Sequence, residues 1–228
     1  MTRLTRFTAA GLGALLVVTA VGVALAAPRP SEATHHAPAA TSAHRISRDA
    51  FHDQMRKLWE DHITWTRLYI VSAATLPDNL PDIGLTADRL FANQDDIGAA
   101  VGAFFGQRAG DRLATLLREH IALAAQAITA AKAGNDAGLQ SALDDWYANA
   151  NQIARFLHNL NPDFWPLHEM RMHMRMHLDL TLEEAVARLH GDFKADIAAY
   201  DQVHLQILEM ADLLSDGIIH RFPGRFGR

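Results

Sequence analysis

Four histidines fall where a helical chain would turn them inward. His62 lies in the stripe Met55, Leu58, His62, Trp65 and Tyr69, and His120 lies in Leu113, Leu116, His120, Leu123 and Ala127. His177 follows Met170 and Met174 at the same spacing, and His204 follows Ile197 and Tyr200. Residues three and four apart share one helical face, so each ring is expected to point into a bundle interior. Imidazoles projected from several helices to one centre are how bundles hold transition metal ions. The candidate ligands are therefore His62, His120, His173, His177 and His204, with Asp196 and Asp201 as carboxylates. Asn93, Asn149, Glu119 and Glu169 are the expected hydrogen-bond partners that orient the rings. Zinc, copper and iron all accept imidazole nitrogen.

The run from His168 to His177 carries four methionines and three histidines. Met172 with Met176, and His173 with His177, are each four apart, and thioether plus imidazole donors suit monovalent copper. Buried polar residues also have a purely structural use. A layer of neutral histidines bonded to asparagines specifies helix register without any guest.

The chain has 228 residues, 49% of them apolar and 21% charged, which is ordinary globular composition. It has no cysteine, which excludes thiolate metal sites, disulfides and cysteine nucleophiles. A net charge of −5 argues against a nucleic-acid partner, which would call for a clustered basic face. No pair of Glu-x-x-His motifs, no His-Glu-x-x-His motif, no Gly-x-Ser-x-Gly elbow and no phosphate-binding glycine loop occurs. Binding rather than turnover is the expectation.

Residues 1–26 have the layout of a signal peptide. Arg3 and Arg6 precede an uncharged run that ends in Ala24-Leu25-Ala26. Cleavage there would place the protein outside the cytoplasm, secreted or in the cell envelope; left uncleaved, the segment would be the only membrane contact. Residues 27–46 are rich in Pro, Ala, Ser and Thr and read as a disordered linker.

From Ser47 onward the pattern is helical and nothing alternates as a strand would. The expected fold is all-α, a bundle of six or seven helices over residues 47–220 with a basic tail at 221–228. A first helix runs to Ala74 and stops at the prolines of Leu76 to Pro81. Thr86 is the expected cap of a second, reaching Phe105, and a third ends near Ala133. Gly134-Asn135 separates it from a fourth that ends near Leu160. A fifth covers Met170 to Asp179, and Thr181 with Glu184 reads as a capping box for a short extra helix ending at Gly191. The last runs from Asp192 to His220.

The spacing predicts helical hairpins repeated along the chain as a His helix followed by an amide or acid helix. His62 to Asn93 is 31 residues and His120 to Asn149 is 29, whereas His177 to Asp196 is only 19, which makes the third unit degenerate. The stretch Leu58-Trp59-Glu60-Asp61-His62-Ile63-Thr64-Trp65-Thr66-Arg67, with Tyr200-Asp201-x-x-His204-x-x-Ile207-Leu208, resembles a group of uncharacterised exported or envelope-associated bacterial helical proteins. Their opening is Leu-Trp-x-x-His-x-x-Trp-Thr-Arg. The resemblance spans residues 55–220 and implies a compact helical domain and a role for His62 and His204, with no activity to transfer. Arg67 is expected to pair with Asp96 or Asp212.

The expected function is an exported bundle that binds a transition metal ion or small polar ligand at its interior histidines. The alternative is a structural or interaction protein of the envelope whose polar layer only specifies packing.

Overall fold

A computed structural model describes residues 45–227; the expected signal segment and all but the last two residues of the expected linker lie outside the described residues. Six helices follow one another: α1 (Arg48–Ala74), α2 (Ile83–Phe105), α3 (Gln107–Lys132), α4 (Asp136–Leu160), α5 (Leu167–Leu189) and α6 (Phe193–Arg221). A short 3-10 turn, Pro223–Arg225, ends the chain. Among the described residues there is no strand, and no helix is long and apolar enough to cross a membrane.

Short polar side chains start three of the helices. Ser47 Oγ accepts from the Ala50 N–H at 3.1 Å, Asn135 Oδ1 from Gly138 at 3.0 Å and Asp192 Oδ1 from Ala195 at 3.0 Å. Each satisfies one of the amide donors that a helix leaves unpaired at its N-terminus. Gly134 and Gly191 end α3 and α5 with φ of 64° and 74°, where a side chain would be strained.

Consecutive helices pack side by side, and α6 returns against α1 to close the ring. The short connections make neighbours antiparallel, so α1, α3 and α5 run one way and α2, α4 and α6 the other. The core is a continuous apolar cluster that includes Met55, Trp59, Ile97, Leu113, Ile153, Trp165, Leu178 and Ile207.

Four sequence expectations are corrected. The extra helix is absent, because α5 continues through Thr181, whose hydroxyl donates to the His177 carbonyl at 2.8 Å inside the helix. Glu184 is then no capping residue but an acceptor for Arg67. Thr86 does not cap α2, which begins at Ile83. In the first half of α6 the buried side chains are Asp196, Ala199, Val203 and Gln206, so the expected stripe Ile197, Tyr200 and His204 is rotated outward. The segment expected as a basic tail is packed: Phe226 is buried, its ring stacks on Phe104 at 5.5 Å, and the Gly227 N–H donates to the Ile46 carbonyl.

Helices α2 and α3 meet through glycine. A Cβ placed on Gly110 would lie 2.5 Å from the Gly98 carbonyl oxygen and 2.9 Å from the Gly102 Cα. Both obstacles are backbone and cannot swing aside. Gly110→Ala is expected to lose about 1–3 kcal/mol in urea unfolding, the penalty of overpacking outweighing the better helix propensity. Gly84→Ala, in α2 with open space around the new methyl, should gain up to about 1 kcal/mol. Equal behaviour of the two variants would contradict this account of the α2–α3 contact.

Candidate functional site: an imidazole layer in the bundle interior

His62, His120 and His177 come from the three parallel helices α1, α3 and α5, and all are buried. The ring centroids of His62 and His177 are 5.7 Å apart, and those of His120 and His177 6.3 Å. Of the five histidines expected to converge, these three do. They share one height because each stands at the same point of a repeated hairpin.

The antiparallel helix of each hairpin supplies a carboxamide. Asn93 Nδ2 donates to the Leu58 carbonyl at 3.0 Å, Asn149 Nδ2 to Leu116 at 3.2 Å and Gln206 Nε2 to His173 at 3.2 Å. In every case the acceptor is the carbonyl four residues before the histidine. The third amide is therefore Gln206, 29 residues after His177 and matching the 29 of the second hairpin. The third unit is not degenerate, because its amide stands ten residues beyond Asp196. Equivalent core positions are also buried throughout, as at Met55, Leu113 and Met170, or at Ile97, Ile153 and Met210.

The three rings differ in their partners. His120 Nδ1 pairs with Asn149 Oδ1 at 2.9 Å, and His120 Nε2 accepts from the Trp146 indole at 3.1 Å. An amide oxygen and an indole N–H together define a neutral imidazole protonated at Nδ1. Both nitrogens are occupied, leaving no lone pair for a metal ion. His62 Nδ1 and His177 Nδ1 have no hydrogen-bond partner among the described residues. Gln94 Oε1 and Gln206 Oε1 also lack one in hydrogen-bond geometry, although each glutamine lies close enough to its histidine to favour the protonated ring. The Trp59 indole, its ring 5.7 Å from His62, carries a further partnerless N–H.

Burial holds all three rings neutral. It lowers His120 to about 3 and His177 to about 4, and it takes His62 well below its ordinary value with help from the two neighbouring rings.

The other expected site residues lie elsewhere. His204 faces the outside of α6, 3.1 Å from Glu60 and stacked on Tyr200, and Asp201 is exposed. His173 contributes its carbonyl to the layer, while its partly buried ring has a partnerless Nδ1 among the described residues. Glu119 is exposed and Glu169 partly so, and neither bonds a ring of the layer. Met172 and Met176 are exposed while Met170 and Met174 are buried, so the methionines of α5 do not gather on one side. Among the described residues no group of three or more His, Asp or Glu side chains is positioned to hold a metal ion.

Asp196 belongs to a second polar cluster, which sequence reasoning missed. Arg67 pairs with neither Asp96 nor Asp212. It donates to Glu184 Oε1 at 2.9 Å and grips both oxygens of Asp196, to which Arg188 adds a bond at 3.2 Å. Both carboxylates are fully buried. Burial raises Glu184 to about 7 against the pull of Arg67. Burial also opposes ionisation of Asp196, yet the two arginines hold it below its ordinary value. The cluster ties α1, α5 and α6 together. No family model, curated protein or solved structure shows a significant match to the chain.

Stability should fall with acid. Between an unfolded imidazole value of about 6.5 and the lowered folded values, the unfolded chain binds three protons that the folded chain refuses, so the contribution is whole above pH 6.5 and is lost as pH falls. Glu184, raised in the fold, takes one proton in the opposite sense over the same window. The net is about two protons, or a slope of about 2–3 kcal/mol per pH unit near pH 5.5. In urea unfolding followed from pH 7 to 5, His177→Gln should reduce that slope by about one proton; an unchanged slope would contradict it. Arg67→Met, which leaves Glu184 without its ion partner and Asp196 with Arg188 alone, should lose about 3–5 kcal/mol at pH 7.

Proposed function

We propose that this bundle is a binding protein whose imidazole layer takes a small guest, either a transition metal ion (Zn, Cu or Fe) or a small polar molecule, held by His62 and His177. One observation carries the reading: in a layer where His120 and all three amide nitrogens are bonded, the partnerless atoms gather on His62, His177 and their glutamines. Buried polar atoms left unpaired cost about 1–3 kcal/mol each, and a guest removes that cost. Neutral imidazole is the metal-binding form, and the two amide oxygens add lone pairs beside it. No carboxylate reaches the layer among the described residues. A metal ion bound there keeps its charge in a dry interior, which favours monovalent copper among the three metals, or an uncharged polar guest.

The second reading, a layer that only sets register, has its own observation. Each partnerless nitrogen stands beside a partnerless amide oxygen of its own hairpin. A turn of Gln94 or Gln206 would close the bond that His120 already makes with Asn149.

The test is elemental analysis of the tag-free protein after exposure to each metal, together with a high-resolution map of the layer. Near one equivalent of metal, or a bound molecule between the rings, is expected. Either should disappear in a His62→Ala/His177→Ala variant and persist in His204→Ala. No retained metal, with both glutamines closed onto the rings and nothing between them, would leave the structural reading standing.

A further inference from the structure

One helical turn beyond the imidazole layer the packing opens. Thr66 and Thr181 follow His62 and His177 by four residues, about 6 Å along the axis, and both border a partly open cavity of about 160 Å³ lined mainly by α1, α3, α4 and α5. Alanines make the space. Ala124, Ala127 and Ala131 repeat along one face of α3, and Ala185 faces them from α5. Tyr69 and Trp146 supply aromatic walls.

Almost no polar atom is exposed on this wall. The two threonines that might have supplied one donate their hydroxyls to backbone carbonyls, Thr66 to His62 and Thr181 to His177, each at 2.8 Å. The Trp146 N–H is turned to His120. Water needs two to four polar partners to settle in a cavity and finds none here, whereas an engineered apolar cavity of about 150 Å³ stays dry and takes up benzene.

Collapse is resisted on both sides. The amide bonds of the imidazole layer set the helix spacing below the cavity. The Arg67, Glu184, Asp196 and Arg188 cluster sets it at the level of the cavity itself, since Arg67 adjoins Thr66 and Glu184 adjoins Ala185. Space that bulkier residues at four alanine positions would fill is thus held open by two rigid polar frames.

We infer that this cavity is a binding site for a small, uncharged apolar molecule about the size of one aromatic ring. It is separate from the imidazole layer and stands whether or not that layer takes a guest.

The experiment titrates the full chain with toluene, and with phenol for comparison, following the thermal unfolding midpoint and NMR contacts to the ligand. Near-saturating toluene is expected to raise the midpoint by about 3–8 °C. It should also show contacts from its protons to the methyl groups of Ala127 and Ala185. Phenol, whose hydroxyl meets no partner, should bind about tenfold more weakly. Ala127→Leu and Ala185→Leu, which fill the space, should each weaken toluene binding at least about tenfold, while Glu209→Ala, on the exposed face of α6, leaves it unchanged. Absence of a toluene shift in the natural chain overturns the inference. So does toluene binding without contacts to those two methyl groups, an observation that does not depend on either filled variant folding.

Discussion

A single hydrogen bond, made three times, sets the geometry on which everything else depends. The carboxamide of an even-numbered helix reaches across its hairpin to the carbonyl four residues before a histidine. Each bond crosses a hairpin in the bundle interior, where an unmade bond would leave both partners desolvated. Sliding either helix by one residue breaks the bond and turns the core stripe away from its neighbours. Register is therefore fixed at one height in all three hairpins, and the three rings are brought level with each other. The apolar residues on either side supply the larger share of the burial energy, but they tolerate small shifts that the amide bonds do not.

The ring of helices carries two kinds of polar frame with opposite electrostatics. The imidazole layer is neutral and is kept so by burial. The cluster around Arg67 is ionic, and its charges are held by mutual pairing rather than by water. Replacing such a cluster with apolar residues is often neutral for stability, so its value lies in specifying how α1, α5 and α6 dock. Between and beside these frames the cavity persists, because neither can relax inward without unpairing a buried group.

Much of this was legible in the sequence. Gly134-Asn135 and Asp192 mark helix ends to within a residue or two, and the stripes of α1, α2, α3 and α4 put His62, Asn93, His120 and Asn149 inside. The failures have physical causes. Helix α6 has apolar residues on its outer face, Ile197 and Leu205 among them, so a stripe drawn through the apolar positions slid outward and took His204 with it. Helix α5 carries methionine on both faces, which blurred its stripe and let Thr181 and Glu184 pass for a cap. Gln206 escaped because a longer amide does the work of asparagine from the same position. Arg67, Glu184 and Asp196 are far apart in sequence, and nothing local marks them as partners. The alanines around the cavity read only as good helix formers.

The three histidines diverge at both ring nitrogens, and a different position in the hairpin accounts for each. Three residues before each amide stands the side chain that meets the next turn of the layer: Leu90, Trp146 and Val203. All three are buried. Only the tryptophan can donate, and only in its hairpin is the imidazole bonded at both nitrogens. A leucine or valine there offers nothing to Nε2, while the difference at Nδ1 lies in the amides: Asn149 Oδ1 meets His120, Asn93 Oδ1 accepts from Gln94 instead, and Nδ1 of His62 and of His177 has no partner among the described residues. His62 and His177, their rings 5.7 Å apart, thus keep the repeated amide-to-carbonyl bond of the hairpin without the pairing that closes both nitrogens of His120.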